Sequence, residues 1–314
     1  MKIALVVSLS LALCSIPAAA QKVPRPDHVV IVFEENKSYE DIVNSPNAPY
    51  LTKLATQTGA SVTFYGFHHP SQPNYFEFFA GTNSIKLKDG TTHTVVNDDC
   101  FSPLATSRSL GGALIARYGA NGFRGYGEGF NKSNPTACTI QNVYYARKHC
   151  PWTYFTDSVS ANATFDDFPA DFTKLPLVSM VTPNLIHDMH SLPGNKDFNK
   201  EGDNIPQLVK NGDDWLQKHL DAYVQWAMTH NSLLIVTFDE NSRGKQEGHS
   251  GAARFQMPVN HVATIFVGPM VQAKSNGQPV AYNHWDLLKT ILWMYGLPPV
   301  GNAAKAQVIE GIWK

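Results

Sequence analysis

Ser71 lies between two prolines in the segment 69–75, which reads His-Pro-Ser-Gln-Pro-Asn-Tyr. Each proline fixes its own φ angle and biases the residue before it away from the α region, so we expect a stiff turn with Gln72 extended. A helical pattern over 74–80 follows and stops at Gly81. The first turn of a helix presents backbone N–H groups that can bind an anion. Ser71 is therefore either a helix cap or a nucleophile beside an anion-binding site.

Oxygen-bearing side chains follow two nearly continuous apolar segments, 28–33 and 232–238. Such runs are typical of strands buried on both faces of a parallel sheet. The carboxyl ends of parallel strands meet at one edge, where open sheets bind ligands. The residues expected at this edge are Glu34, Glu35, Asn36, Asp239, Glu240 and Asn241. Together with a serine hydroxyl they predict a site for a hard cation, whereas each group taken alone could be a solvated loop.

Histidines provide groups that could move protons near neutral pH. A third apolar strand, predicted over 177–182, is followed at 184–190 by Asn-Leu-Ile-His-Asp-Met-His. We expect one of these two histidines to act in the site and the other to support it. His149, His249 and His284 lie in other loops or at a helix start, and each could be structural instead.

The remaining pattern predicts further elements of an α/β domain. Strands are predicted over 61–67, which leads into the Ser71 turn, and over 262–267; helices are predicted over 49–59, 211–230 and 287–295, the last of them begun by His284-Trp285. Asp213 and Asp214 fall in the first turn of the predicted long helix and are interpreted as caps. Residues 86–135 are rich in Gly, Asn, Asp and Ser, and we predict that they form an insertion over the sheet. Their glycines are not spaced as in a phosphate-binding P-loop, which excludes that site.

The chain has 314 residues, of which 43% are hydrophobic and 16% charged, enough for one large domain. Residues 1–20 have the basic start, short apolar run and small-residue end of a secretory signal, which leaves a single domain at 21–314. The apolar run is short for a membrane span, so we expect a secreted or periplasmic protein without an integral membrane segment. The formal net charge of −1 gives no reason to expect a nucleic acid partner.

Removal of the signal would leave three cysteines, Cys100, Cys138 and Cys150. In an exported chain this number permits one disulfide and leaves one thiol. We prefer the pair Cys100–Cys138, although the sequence leaves the other pairings open. No CxxC motif is present, so a thiolate zinc site is not expected.

Taken together, these motifs resemble the bacterial and fungal phosphoesterase family of secreted acid phosphatases and phospholipases C, within the alkaline phosphatase superfamily. The resemblance runs in order across the chain, from about residue 27 to residue 297. The segments that carry it are 31–39, 70–75, 148–151, 184–190 and 238–241. The resemblance implies a three-layer α/β sandwich with a mostly parallel central sheet, as in alkaline phosphatase.

The same resemblance implies roles for individual residues. Ser71 is expected to be the nucleophile that becomes a phosphoserine, and His149 and His190 the pocket histidines, with His190 protonating the leaving group. The residues expected to hold the metal are Glu35, Asn36, Ser71, Asp239 and Glu240. The residues expected to bind the substrate are Asn36, His149, Asn184, His187 and Asp188. Relatives often have asparagine at the position of Cys150, so the surroundings of His149 differ here.

Two positions depart from relatives that bind two zinc ions: Glu240 stands where a histidine ligand is usual, and Asn184 where an aspartate is usual. We therefore expect one divalent metal ion, and oxygen ligands suit Mg, Ca, Mn, Fe or Zn. Such a cation would lower the pKa of the Ser71 hydroxyl and shield the phosphate charge. The sequence thus predicts a secreted, metal-dependent acid phosphatase that acts on small phosphate monoesters.

Three alternatives stay open at this point. A phospholipase C is disfavoured because those relatives tend to be longer, with added carboxyl-terminal domains. A serine esterase could use Ser71, but the chain lacks the G-x-S-x-G turn of that class. A secreted binding protein without catalysis would have no need of Ser71 together with both acidic pairs.

Overall fold

The computed structural model describes residues 23–96, 100–101, 104–195, 202–242, 260–275 and 280–314. The expected signal segment and His249 lie outside these residues. In chain order the described strands are β1 (His28–Glu34), β2 (Ala60–Ser61), β3 (Phe64–Tyr65), β4 (Ser84–Lys86), β5 (Thr92–Thr94), β6 (Phe123–Gly127), β7 (Thr139–Ile140), β8 (Tyr145–Ala146), β9 (Asn162–Thr164), β10 (Val178–Thr182), β11 (Ser232–Phe238), β12 (His261–Val262), β13 (Thr264–Val267) and β14 (Tyr282–Asn283). The described α-helices are α1 (Tyr39–Ile42), α2 (Pro49–Lys53), α3 (Gln72–Ala80), α4 (Leu110–Tyr118), α5 (Ile205–Ala227) and α6 (His284–Met294).

Seven strands form the central sheet in the order β2-β13-β11-β1-β10-β6-β9. β1 pairs in parallel with β10 on one side and β11 on the other, and β6 pairs in parallel with β10 and β9, whereas β13 runs antiparallel to both its neighbours. The helices pack in two groups, α1 and α2 with α5, and α4 and α6 with α3. β1 is buried along almost its whole length, which requires cover on both faces. The expected α/β sandwich around a mostly parallel sheet is confirmed.

Three predicted strands are confirmed to within one residue, as β1, β10 and β11. The segments predicted as single strands over 61–67 and 262–267 are each divided. Each gives one short strand to the central sheet and one to a separate three-stranded sheet with the order β12-β3-β14. Ser71 therefore follows β3, a strand of the small sheet, and not a strand of the central sheet. Its position at the edge of the central sheet depends on the helix α3, which begins directly after it.

The first residues of two helices differ from the prediction. Gln72 is the first residue of α3 and is helical rather than extended, because Pro73 fits the first turn of a helix. The long helix α5 begins at Ile205 rather than at residue 211, since the side chain of Asn204 accepts a hydrogen bond from the Gln207 N–H and caps it. After α2, a π-helical turn continues to Thr58.

Asp213 is not a cap of its own helix. It lies in the interior of α5, where its carboxylate oxygens accept hydrogen bonds from the N–H groups of Tyr50 (3.0 Å) and Leu51 (2.8 Å). These N–H groups belong to the first turn of α2, so Asp213 caps a helix that is distant in sequence. Asp214 is exposed and pairs with Lys210 one turn earlier.

The glycine-rich segment 86–135 is only partly an insertion. Its residues Phe123–Gly127 form β6, inside the central sheet, which corrects the prediction. A Cβ atom at Gly125 would overlap the indole ring of Trp152, so glycine lets this aromatic side chain pack on the strand. Glycine is depleted in strands, which is why the composition indicated a loop.

The cysteines follow the preferred pairing. Cys100 and Cys138 form a disulfide with their Cα atoms 5.6 Å apart, and Cys150 is a buried free thiol. Within the described ranges, no helix combines the length and apolar character needed to cross a bilayer.

Replacing Gly125 by alanine should destabilise the fold by about 3 kcal/mol, because the new methyl group would displace the fully buried Trp152 ring. Thermal or urea unfolding would measure the loss. Gly202→Ala is the matched control, since its Cβ would meet the flexible end of Leu208 and, at ordinary contact distance, the side chain of Leu192. Equal stability of the two variants would contradict this account of β6.

Asp213→Ala should cost about 1–2 kcal/mol of unfolding free energy, since it removes both caps of α2. Asp214→Ala, which removes only an exposed ion pair, should cost less than about 0.5 kcal/mol. Urea unfolding of the two variants tests the difference. If Asp214→Ala proved as costly as Asp213→Ala, the capping role would be wrong.

Candidate active site

The Ser71 hydroxyl points at acidic and amide oxygens rather than at its helix. Ser71 immediately precedes α3, is buried, and its side chain makes no capping hydrogen bond. Its Oγ lies 2.9 Å from Glu35 Oε2, 3.1 Å from Asn36 Oδ1 and 3.1 Å from Glu240 Oε1. A hydroxyl has one proton to donate, so at most one of these contacts is a strong donation at any time. This geometry excludes the helix-cap interpretation of Ser71.

The register of two neighbouring strands brings the acidic pairs together. β1 and β11 are parallel, and Glu34 is paired with Phe238, so the residues that follow each strand meet at one edge. The backbone N–H of Asn36 donates to Asp239 Oδ1 at 3.0 Å across this edge. Asn36 has a φ of 50°, a left-handed conformation that asparagine tolerates better than most residues. That turn directs its side chain oxygen to Ser71.

The carboxylates of this edge are buried away from water. Glu35, Asp239 and Glu240 are all fully buried. Burial raises the pKa of Glu35, and burial followed by the nearby Glu35 and Glu240 carboxylates raises the pKa of Asp239 well above its usual range. Asp239 Oδ2 has no hydrogen-bond partner among the described residues. Buried negative charge of this density needs a counter-charge or protons.

The donor set fits a hard divalent cation. Carboxylate, amide and hydroxyl oxygens are the ligands that such ions prefer. In the described ranges no three His, Cys, Asp or Glu side chains form a metal cage by themselves. A site at this edge would therefore depend on Asn36 and Ser71 as well as on the acidic residues. The unpartnered Asp239 oxygen is the observation that favours a bound cation here.

Two of the residues predicted for the site, His149 and Asp188, are connected to this cluster through Glu35. His149 Nε2 lies 3.0 Å from Glu35 Oε1, and His149 Nδ1 lies 3.1 Å from Asp188 Oδ2. The other Asp188 oxygen accepts the backbone N–H of His190 at 2.9 Å. The rings of His149 and His190 meet edge to face with centroids 6.3 Å apart. Ser71, Glu35, His149 and Asp188 therefore form one continuous polar chain.

Burial disfavours charge along this chain. It raises the pKa of Asp188 well above its usual range, and the Glu35 charge adds to this effect. It lowers the pKa of His149 well below its usual range, with further lowering by Lys148 and His190. Glu35, His149 and Asp188 can therefore share protons rather than carry separate charges.

Asn184 and His187 are engaged in their own turn. Asn184 Oδ1 accepts the N–H groups of Ile186 and His187 at 3.0 and 3.2 Å. The His187 ring lies 2.9 Å from both carboxylate oxygens of Glu128, which also accepts the Asn184 N–H. No hydrogen bond or ion pair between described residues links either side chain to Ser71. Their substrate-binding role stays a prediction.

Three residues of the 69–75 segment were not predicted as site residues. His69 Nδ1 lies 2.8 Å from Glu240 Oε2, and the hydroxyl of Tyr75 donates to Glu35 Oε1 at 2.7 Å. The Asn74 side chain binds the backbone at residues 67 and 68 and so fixes the approach to Ser71. Their position beside Ser71 in the same motif is the sequence feature that could have identified them as site residues.

Glu34 was grouped with Glu35 in the sequence, but no hydrogen bond between described residues links its carboxylate to Glu35 or Ser71. Both of its carboxylate oxygens are buried without a hydrogen-bond partner among the described residues. Burial raises its pKa well above the usual range, and the carboxylates of Asp188 and Glu128 add to the shift. The surroundings of Glu34 therefore disfavour its charged form.

Comparison with known proteins identifies the family of this chain. The sequence profile of the Phosphoesterase family matches residues 44–298. The chain is 34% identical over 298 residues to the phosphatidylinositol-3-phosphatase of Mycobacterium tuberculosis, covering 94% of this chain and 85% of the relative. It is 26% identical over 287 residues to the acid phosphatase of Aspergillus fumigatus, which covers 86% of this chain but only 55% of that longer protein.

Solved structures share the fold at low sequence identity. Murine ectonucleotide pyrophosphatase/phosphodiesterase 5 superposes with a TM-score of 0.52 at 13% identity, over 87% of this chain and 96% of that one. The lipoteichoic acid synthase LtaP from Listeria monocytogenes also gives 0.52, at 12% identity, over 88% and 73% of the two chains. At these identities the likeness concerns the fold alone. The family profile and the sequence relatives show that the chain belongs to the Phosphoesterase family and is a phosphoric ester hydrolase.

Proposed function

We propose that this protein is a metal-dependent phosphatase that hydrolyses small phosphate monoesters through a phosphoserine on Ser71. One observation carries the proposal: the Ser71 Oγ lies within 3.1 Å of oxygens from Glu35, Asn36 and Glu240 at the start of a helix. The acid phosphatase and phosphatidylinositol-3-phosphatase names of the relatives support a phosphate monoester as substrate.

A divalent cation belongs to this proposal. It would be held by Glu35, Asn36, Ser71, Asp239 and Glu240. When bound, it would lower the pKa of the serine hydroxyl and offset the charge of the phosphate group. The dense burial of carboxylates at this edge supports the assignment.

The chemical steps fall to the side chains of the chain. Ser71 Oγ attacks the phosphorus, and its proton passes to an adjacent carboxylate, Glu35 or Glu240. The bond from phosphorus to the ester oxygen breaks, and His190 gives that oxygen its proton. Water then attacks the phosphorus of the phosphoserine and gives a proton to His190, while the bond from phosphorus to Ser71 Oγ breaks. The proton held by the carboxylate returns to Oγ, which restores the Ser71 hydroxyl and releases inorganic phosphate. We assign this proton transfer to His190 because it lies beside Asp188 and His149, which connect to Glu35.

Export from the cytoplasm is part of the proposal. The signal-like pattern at 1–20 supports it, and so does the Cys100–Cys138 disulfide, because disulfides persist in oxidising compartments. The protein would then act on its phosphate ester outside the cytoplasm, as a secreted or periplasmic enzyme.

Ser71→Ala should lower kcat on a chromogenic phosphate monoester by roughly four orders of magnitude or more, since it removes the hydroxyl that attacks the phosphorus in this mechanism. Steady-state kinetics measures the loss, and mass spectrometry of acid-quenched wild-type enzyme should find phosphate on Ser71. The control is Ser179→Ala, a buried serine inside β10, which should change kcat by less than about twofold. Substantial turnover by Ser71→Ala would contradict the nucleophile assignment.

Exhaustive chelation should abolish activity on the same ester, and adding back one of Mg²⁺, Ca²⁺, Mn²⁺, Fe²⁺ or Zn²⁺ should restore it. Asp239→Asn should raise the metal concentration required for half-maximal recovery, because it removes a buried negative ligand. Asp214→Asn, on the exposed side of α5, serves as control and should leave that concentration unchanged. Full activity on this phosphate ester after chelation would contradict the role of the cation.

A further inference from the structure

The two oxygens of the Glu35 carboxylate have different partners. Oε2 accepts the Ser71 hydroxyl at 2.9 Å. Oε1 accepts the Tyr75 hydroxyl at 2.7 Å and lies 3.0 Å from His149 Nε2. The two oxygens of a carboxylate are chemically equivalent, so the side chains around them decide which oxygen faces Ser71.

Tyr75 is fixed in place by its surroundings. It lies in α3 four residues after Ser71, so both side chains project from the same face of the helix start. It is completely buried, and its ring stacks on His149 with centroids 5.1 Å apart and an interplanar angle of 10°. Phe33 packs against the same ring at 5.1 Å. Its hydroxyl therefore has little freedom to leave Glu35.

The hydroxyl is the part of Tyr75 that packing does not explain. A phenylalanine would fill the same space and keep the stacking on His149 and Phe33. Burying an additional hydroxyl is unfavourable unless it has a hydrogen-bond partner, and here that partner is a carboxylate beside the nucleophile. Mutation of a group that hydrogen-bonds a metal-ligating side chain typically costs about 10- to 100-fold in metal affinity or activity.

We propose that Tyr75, whose ring is stacked on His149, is a positioning residue that holds Oε1 of Glu35 so that Oε2 stays on Ser71. The inference rests on the proposed function and assigns His149 a role through Tyr75 instead of a direct contact with substrate. It predicts that loss of the Tyr75 hydroxyl weakens cation binding and turnover without unfolding the protein.

The test is Tyr75→Phe, with Mn²⁺ as the probe. Titration followed by the electron paramagnetic resonance signal of free Mn²⁺ gives its Kd without any turnover. We expect Kd to rise by about 10- to 100-fold and kcat on a chromogenic monoester to fall by a similar factor, while KM changes little. The Tm should stay close to wild type because the ring is retained. Tyr223→Phe is the matched control: a buried tyrosine on α5 whose hydroxyl bonds to the Leu233 carbonyl, away from the site.

A second variant makes the test independent of one substitution. His149→Gln should weaken Mn²⁺ binding too, because the His149 ring supports the Tyr75 ring. The effects of the two substitutions should be non-additive in the double variant, since the two side chains are in direct contact. Unchanged Mn²⁺ affinity in folded Tyr75→Phe, or strictly additive effects in the double variant, would overturn the inference alone. Absence of Mn²⁺ binding by the wild type would overturn the proposed cation site as well.

Discussion

The structure depends on the burial of several carboxylates around one serine hydroxyl. Glu35, Asp239 and Glu240 are all fully buried, and burial of unpaired negative charge is among the most costly arrangements in a protein. The fold tolerates it through hydrogen bonds from Ser71, Tyr75 and the Asn36 backbone, and by raising the pKa of carboxyl groups. The proposed cation would offset the cost of burying these carboxylates together.

The parallel sheet explains how residues 200 positions apart can meet. β1 and β11 are adjacent and end together, so the groups after each strand share one edge. The start of α3 places Ser71 against this edge, and the turn at Asn36 closes the gap to Asp239. The polar chain from Ser71 through Glu35 and His149 to Asp188 then links the cluster to the end of β10. The proposed active site thus depends on the order of the strands in the central sheet.

Much of the fold could be predicted where a local pattern reports burial directly. β1, β10 and β11 were predicted because strands buried on both faces consist almost entirely of apolar residues. β6 was missed because Gly125 is needed there for the close approach of Trp152, a long-range requirement that looks like a loop in sequence. Asp213 was misinterpreted for a similar reason: its charge seemed to serve its own helix, whereas its partners are the N–H groups of α2.

The sequence by itself determined the chemical types at the site: a serine on a proline-bounded turn and acidic pairs after apolar strands, in an order that resembles one enzyme family. Only the tertiary structure decided the contacts, such as His69 on Glu240, Tyr75 on Glu35, and Asn184 and His187 turned toward their own loop and Glu128. The physical reason is the separation along the chain between the residues that interact. Strand and helix patterns reflect burial of neighbouring residues, but hydrogen bonds between side chains depend on register and packing between segments distant in sequence.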